Sequence, residues 1–267
     1  MKKIFFQGFS LVVLFFAGWF ALQQVDWMSV FKVEQVTKST EEKLGDLFWE
    51  IFGKEEKDLR ASDIIGPVDS ILTKICTAND IDRSQIKLHV LDNEEVNAFA
   101  LPNKHLVVFS GLILASENEA ELSGVIGHEL AHIQLNHVMK KLMKEVGLSV
   151  LISMTTGGSG TEIIRETAKM LSSSAFDRGL EREADIKSVD YLLKADIQPE
   201  PFADFLFRLG ADQPEMLKNL TWISTHPESK ERAEYIIEYS RGRSDGGKPV
   251  LGKEAWDALQ QTLGELQ

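Results

Sequence analysis

Apolar and polar residues follow several distinct rhythms along this chain. From residue 4 to residue 22 apolar side chains run almost continuously, with Gln7 and Ser10 the polar interruptions. At about 1.5 Å per helical residue this stretch spans about 28 Å, close to the thickness of a bilayer core. Further on, Ile64, Val68, Ile71, Leu72 and Ile75 recur at the helical period and predict a core helix. Residues 86–91 alternate and predict a strand. Residues 97–101 and 105–109 predict two more, joined through Pro102 and Asn103. From residue 119 to about 144 apolar residues lie on more than one side of a proline-free pattern weakened only by Gly124 and Gly127, which predicts one long buried helix. Another helix is expected from 177 to about 193, and two more over 201–209 and 230–239.

Residues 146–154 are apolar but too short to cross a bilayer, and Thr-Thr-Gly-Gly-Ser-Gly follows at 155–160. Residues 145–175 are read as a mobile flap or lid near a cleft, with an ordinary loop as the alternative. The pattern divides the chain into a membrane anchor or signal sequence (1–25), a helical connector (26–60), a main domain (61–240), and a linker with an amphipathic C-terminal helix (241–267) carrying Trp256, Leu259 and Leu263. The fold class expected is α+β, mostly helical.

A cleaved signal peptide would need a shorter apolar core and small residues at its end, whereas Trp19 and Phe20 stand there, so an uncleaved anchor is favoured. Lys2 and Lys3 precede the stretch, and Gln23, Gln24 and Asp26 follow it. The positive-inside rule then puts the N-terminus in the cytoplasm and the main domain on the periplasmic side of a bacterial inner membrane. The alternative is secretion to the periplasm after signal cleavage. A formal net charge of -12 argues against nucleic acid as a partner. The single cysteine, Cys76, excludes an intramolecular disulfide framework.

The chemistry concentrates at residues 128–132, His-Glu-Leu-Ala-His. Two histidines four apart lie about 40° apart around a helix and one turn apart along it, so both imidazoles can converge on one metal ion. Glu129, between them, can reach a water on that metal. This is the ligand and general-base spacing of zinc metallopeptidases. The bland alternative is an amphipathic helix with two solvated histidines. A third protein ligand is required, and the acidic run Asp177–Asp185 offers candidates. Glu181 and Asp185 share one helix face there, and Glu183 points elsewhere.

Four blocks in order make the sequence resemble the HtpX-like and CAAX-prenyl-protease-like zinc metallopeptidases, the M forty-eight peptidase family of gluzincin type. They are Asn-Ala-Phe-Ala-Leu-Pro at 97–102 with Val-Val-Phe-Ser-Gly-Leu-Ile at 107–113, Gly-His-Glu-Leu-Ala-His-Ile-Gln-Leu-Asn-His at 127–137, Arg-Gly-Leu-Glu-Arg-Glu-Ala-Asp at 178–185, and Thr-His-Pro at 225–227 followed by Arg232. The resemblance implies a zincin-like domain binding one zinc, with a small sheet beside the active-site helix. It implies zinc ligation by His128, His132 and Glu181, with Glu129 as general base. Asp185 would orient a ligand histidine through its other ring nitrogen, with Arg178 nearby. The family shows Ser-Arg where this chain has Asp177 and Arg178. His226 is expected near the metal, either stabilising the oxyanion or capping the zinc as a fourth ligand. Asn97, Ala98, Phe99 and Ala100 would form an exposed edge strand that pairs with extended substrate.

His137 lies about 180° around the helix from His128 by helical arithmetic and is read as structural. His89 and His105, in strands, are read likewise. The implied partners are unfolded or misassembled envelope proteins, with the membrane engaged through the N-terminal helix. The reading from another class is a catalytically silent chaperone or adaptor that keeps the fold for binding.

Overall fold

The computed structural model describes residues 33–210, 221–227, 229–243 and 246–266. The expected anchor lies outside the described residues, and among those described no helix is long and apolar enough to cross a membrane. The chain separates into two units, Met1–Glu41 and Glu42–Gln267. The first is described only from Val33, as helix. The second carries everything that follows.

Helix α1 (Val33–Glu55) enters the second unit at Glu42 and buries Leu44, Phe48 and Phe52 there. A two-residue strand β1 (Lys57–Asp58) leads to α2 (Ser62–Ala78), whose buried residues are the periodic set expected from sequence, together with Cys76. Next come β2 (Lys87–Asp92), β3 (Ala98–Leu101) and β4 (His105–Phe109). They form one sheet in the order β1-β2-β4-β3, with β2 and β4 parallel and the other pairs antiparallel. Asn103 and Lys104, both at φ 59, turn the β3–β4 hairpin. Paired left-handed residues match the twist of the strands they join.

A short α3 (Ser110–Ala115) precedes α4 (Glu119–Gln134), the central helix. Asn118 caps α4, its side-chain oxygen accepting from the backbone N–H groups of Ala120 and Glu121. Every residue of α4 from Glu121 to Ile133 is buried. Gly124 and Gly127 are the close-approach points. A Cβ on Gly124 would lie 2.3 Å from Phe202 Cβ, and one on Gly127 would lie 2.6 Å from Ser188 Oγ. Ser188 Oγ donates to the Gly124 carbonyl at 2.9 Å, so the residues that looked like weak points are where two other helices dock.

The helix expected to run to about residue 144 ends at Gln134. Asn136 adopts the left-handed conformation (φ 56, ψ 30), and α5 (His137–Glu145) starts in a new direction. Asparagine is one of the few residues that take this conformation at low cost. The 145–175 stretch is two helices, α6 (Leu148–Thr155) and α7 (Thr161–Ser173). The chain continues through α8 (Arg178–Lys194), α9 (Glu200–Leu209), α10 (Thr221–Thr225), α11 (Ser229–Ser240) and α12 (Lys253–Gly264). Helix α4 packs against α8, α9, α2 and β3, while α11 packs on α9 and α8, and α12 closes over α2 and α3.

Strand β3 is the sheet edge, yet it is not exposed. Ala98, Phe99, Ala100 and Leu101 are all buried, and α7 packs against them. The exposed edge expected from sequence is therefore covered here by the segment read as a lid.

Candidate active site

Helix α4 presents His128 and His132 one turn apart, and α8 presents Glu181 and Asp185 in the same way from the facing side. The turn after α10 supplies His226, whose backbone N–H donates to the Trp222 carbonyl at 2.8 Å. His128, His132, Glu181 and His226 each offer one donor atom, and these atoms lie within 4.8 Å of one another. His128 Nε2 is 3.0 Å from His132 Nε2 and 3.2 Å from His226 Nδ1. Glu181 Oε1 is 2.9 Å from His226 Nδ1 and 3.4 Å from His132 Nε2.

Zinc bonds of about 2.0–2.1 Å in a tetrahedral shell put neighbouring donors about 3.3 Å apart. The observed spacings bracket that value. One proton on His128 Nε2 cannot serve two facing ring nitrogens, whereas a cation among them serves all four donors. The donor set therefore fits a zinc ion.

Glu129 sits beside this cluster. Its Oε1 lies 3.3 Å from His226 Nε2 and accepts from Trp222 Nε1 at 3.4 Å. Its Oε2 is buried and meets no donor among the described residues. A carboxylate with one oxygen held and the other unengaged is placed to take a proton from a water on the metal.

Asp185 meets His128 Nδ1 at 2.8 Å, on the ring nitrogen away from the cluster. Such a contact fixes the tautomer that leaves Nε2 free to ligate. Arg232, on α11, holds Asp185 through Nε at 2.8 Å and Nη2 at 2.7 Å, and reaches Glu181 Oε2 at 3.0 Å and the His226 carbonyl at 3.1 Å. Tyr235, one turn further along α11, also donates to Asp185. Phe176 stacks on His132 with ring centroids 4.1 Å apart, and the buried Lys141 lies over Phe176 and donates to the Ser174 carbonyl.

The whole assembly is out of solvent. His128, Glu129 and His132 are 0 % exposed, His226 1 % and Glu181 3 %. Burial alone would raise the carboxylate pKa values. It is outweighed at Glu129 by the charge of His226, at Glu181 by His226 and then Arg232, and at Asp185 by Arg232 and then His128, so all three are lowered. Burial holds His132 down at about 4. His226 goes the other way: burial would lower it, but the charges of Glu181 and Glu129 raise it to about 9.

Comparison with known proteins agrees with this geometry. Residues 66–240 match the sequence profile of Peptidase family M48. The chain belongs to this family. It is 31% identical over 207 residues to Metalloprotease LoiP of Escherichia coli (strain K12), covering 73% of this chain and 79% of LoiP. It is 28% identical over 177 residues to Mitochondrial metalloendopeptidase OMA1 of Schizosaccharomyces pombe, covering 64% of this chain and 52% of that protein. It is 25% identical over 197 residues to the Beta-barrel assembly-enhancing protease of Yersinia pestis, covering 69% of this chain and 40% of that one. The chain thus spans about half or less of the latter two relatives.

Within this M48 chain the structure gathers most of the residues singled out from sequence. Arg178 lines a cavity with Glu181, Arg232 and Tyr235. It is exposed at the first residue of α8, and the guanidinium that meets Asp185 and Glu181 is that of Arg232. Asn97 is buried beside β3, its Nδ2 donating to the Ser172 carbonyl at 3.2 Å at the end of α7. His89 and His105 pack together away from the cluster, with His89 Nε2 2.9 Å from His105 Nδ1 and Trp49 stacked on His89 at 3.5 Å.

Sequence reasoning missed Trp222, Tyr235 and Phe176, and left Arg232 with an undecided role. Arg232 carried a signal as the end of the fourth family block, whereas for Tyr235 the signal was its spacing of three from Arg232, which puts the two on one helix face. His137 was placed by assuming a continuous helix. The break at Asn136 instead turns its ring back towards His132, at 3.1 Å.

Proposed function

We propose that this chain is a zinc-dependent endopeptidase that hydrolyses peptide bonds in misfolded or misassembled envelope proteins from the periplasmic face of the inner membrane. The observation that carries the reading is the convergence of His128, His132, Glu181 and His226, whose donor atoms lie within 4.8 Å of one another, with the unengaged Glu129 oxygen beside them. A zinc ion bound there polarises the scissile carbonyl and lowers the pKa of its water to about 7.

The residues divide the remaining work. His128 and His132 hold the ion from α4 and Glu181 holds it from α8. Asp185 keeps His128 in the ligating tautomer, and Arg232 keeps Asp185 and Glu181 in place. Glu129 takes the proton from the attacking water and delivers it to the leaving amine. In the resting state His226 caps the cluster as a fourth donor, in the position that the attacking water takes when His226 leaves it, a role supported by its Nδ1 pointing at His128 and Glu181. The strand Asn97–Ala100 pairs with extended substrate once α7 leaves it.

The substrate class rests on two supports. Backbone pairing along a strand selects extended chain without demanding one sequence, and the Yersinia pestis relative is named for enhancing β-barrel assembly. The inner-membrane location rests on the sequence of residues 2–26. A start near residue 22–26 on N-terminal sequencing would replace the anchor with a cleaved signal. A silent chaperone would ordinarily have lost the base or a ligand, and this chain retains Glu129 and all the donors.

The deciding experiment measures casein cleavage and bound zinc together. The wild type is expected to bind one zinc and to stop cleaving when chelator is added. Glu129→Gln should keep the zinc and lose cleavage, and Glu181→Ala should lose the zinc. Cleavage by Glu129→Gln, or full zinc content in Glu181→Ala, would remove those residues from these roles.

A further inference from the structure

We propose that His137 and Glu183 form a positioning pair that fixes the tautomer and aim of His132, as Asp185 does for His128. The two histidines of α4 are supported differently. His128 has a carboxylate on its Nδ1 at 2.8 Å, whereas His132 Nδ1 faces His137 Nδ1 at 3.1 Å. The other nitrogen of His137, Nε2, lies 3.3 Å from Glu183 Oε2. His137 is fully buried, and Glu183 is half exposed.

The protons on this chain follow from the ligand role of His132, on which the inference rests. When His132 ligates through Nε2, its one proton sits on Nδ1 and must be donated. Among the described residues, the group placed to accept it is His137 Nδ1. His137 must then carry its own proton on Nε2, where Glu183 accepts it. Donor and acceptor therefore alternate from the cluster to the protein surface, with no proton left to choice. A His137 protonated on both nitrogens would set two N–H groups against each other.

The local fold supports the same arrangement. In a continuous helix His137 would face away from the metal. The left-handed residue Asn136 breaks α4 and brings the ring back over His132, while Glu183 arrives from the outer strip of α8. An asparagine-terminated helix followed by a buried histidine is thus part of the site and not only a chain reversal.

The test is zinc affinity of the full chain, measured by competition with a chromophoric chelator, read beside the thermal stability of the metal-free protein. His137→Phe keeps the ring volume and removes the acceptor. It should weaken zinc binding by roughly 10- to 100-fold, the usual effect of losing such a partner. His137→Asn places an amide oxygen close to the position of Nδ1 and should recover most of that loss, which a purely packing role would not. Glu183→Ala, at a half-exposed position that the fold tolerates, should weaken binding by roughly two- to fivefold.

Wild-type zinc affinity in His137→Phe would overturn the proposal. So would an Asn variant no better than the Phe variant, or, where His137→Phe does not fold, an unchanged affinity in Glu183→Ala. His132→Ala separates this from the ligand assignment. If it keeps its zinc, the reading of His132 falls. If it loses zinc while His137→Phe does not, only the positioning role falls.

Discussion

Arg232→Met removes the cation from the buried acidic side of the site while roughly keeping side-chain volume. In the wild type that guanidinium makes two short contacts to Asp185 and one to Glu181, all out of water. Removing one member of a buried charged group typically costs 3–5 kcal/mol. The structure narrows this range. Glu181 keeps His226, 2.9 Å away, as a counter-charge. Among the described residues Asp185 keeps the His128 ring and the Tyr235 hydroxyl, so the loss falls mainly on it.

A stranded carboxylate can escape by taking up a proton. From an ordinary pKa of about 3.9 that costs about 4 kcal/mol at pH 7 and about 1.5 kcal/mol at pH 5. These values are ceilings, so a loss of about 3 kcal/mol is expected at pH 7. The sign follows from linkage. In the wild type the lowered pKa of Asp185 contributes stability that stays whole down to its unfolded value of about 3.9, so it does not change between pH 7 and pH 5, whereas in the variant the stranded Asp185 takes up a proton on folding, at a cost that falls as pH falls. The gap between wild type and variant should therefore shrink from pH 7 to pH 5. Urea unfolding followed by circular dichroism, with chelator present so that metal binding adds nothing, measures both values. A gap under 1 kcal/mol at pH 7, or an equal gap at the two pH values, would refute the assignment of Arg232 as the charge that keeps Asp185 ionised.

Three further outcomes follow. His226→Ala should raise basal cleavage of a short peptide if His226 caps the metal, whereas a roughly hundredfold fall in turnover would assign it to the oxyanion instead. His89 and His105 are held by burial at about 4 and about 3, below their unfolded value of about 6.5, among Lys87, Asp46, Asp58 and Arg60. Their unfolded forms bind more protons, so stability complete above pH 6.5 should fall by about 2 kcal/mol per histidine by pH 5, and His105→Gln should flatten that slope in a melting series. Gly124→Ala should cost roughly 1–3 kcal/mol in urea unfolding, because its Cβ would overlap Phe202, and a neutral result would mean that α4 and α9 are not in the close contact described.

What was legible in the sequence is what depends on near neighbours in the chain. The pairs His128–His132 and Glu181–Asp185 each need only one helical turn, and the four-residue spacing states it. The strand at 86–91 and the hairpin closed through Asn103 were readable for the same reason. The end of α4 was not. Ile133, Leu135 and Val138 continue the apolar period across Asn136, and nothing local says that this asparagine takes the left-handed form. The error carried over to His137, whose direction depends on that one backbone angle. Arg232, Tyr235 and Trp222 acquire their partners only when α10 and α11 pack against α4 and α8, across separations of tens of residues. His226 came from the family resemblance, since a histidine before proline carries no such message alone. The cover over β3 was unreadable in a similar way: alternation shows a strand, but not whether its outer edge meets water, substrate or another helix.

That cover, together with the burial of every donor atom, bears on how the metal enters and leaves. A cavity of about 240 Å³ lined by Glu181, Arg232 and Tyr235 reaches the cluster from the side of α8 and α11, and a zinc ion held by these buried donors would exchange slowly. Loading and loss would then depend on openings that widen this side of the site. Once loaded, occupancy is insulated from the free zinc concentration outside and records past openings of the enzyme. The rate at which a strong chelator strips the protein then becomes a clock for those openings, one that runs even when no substrate is present.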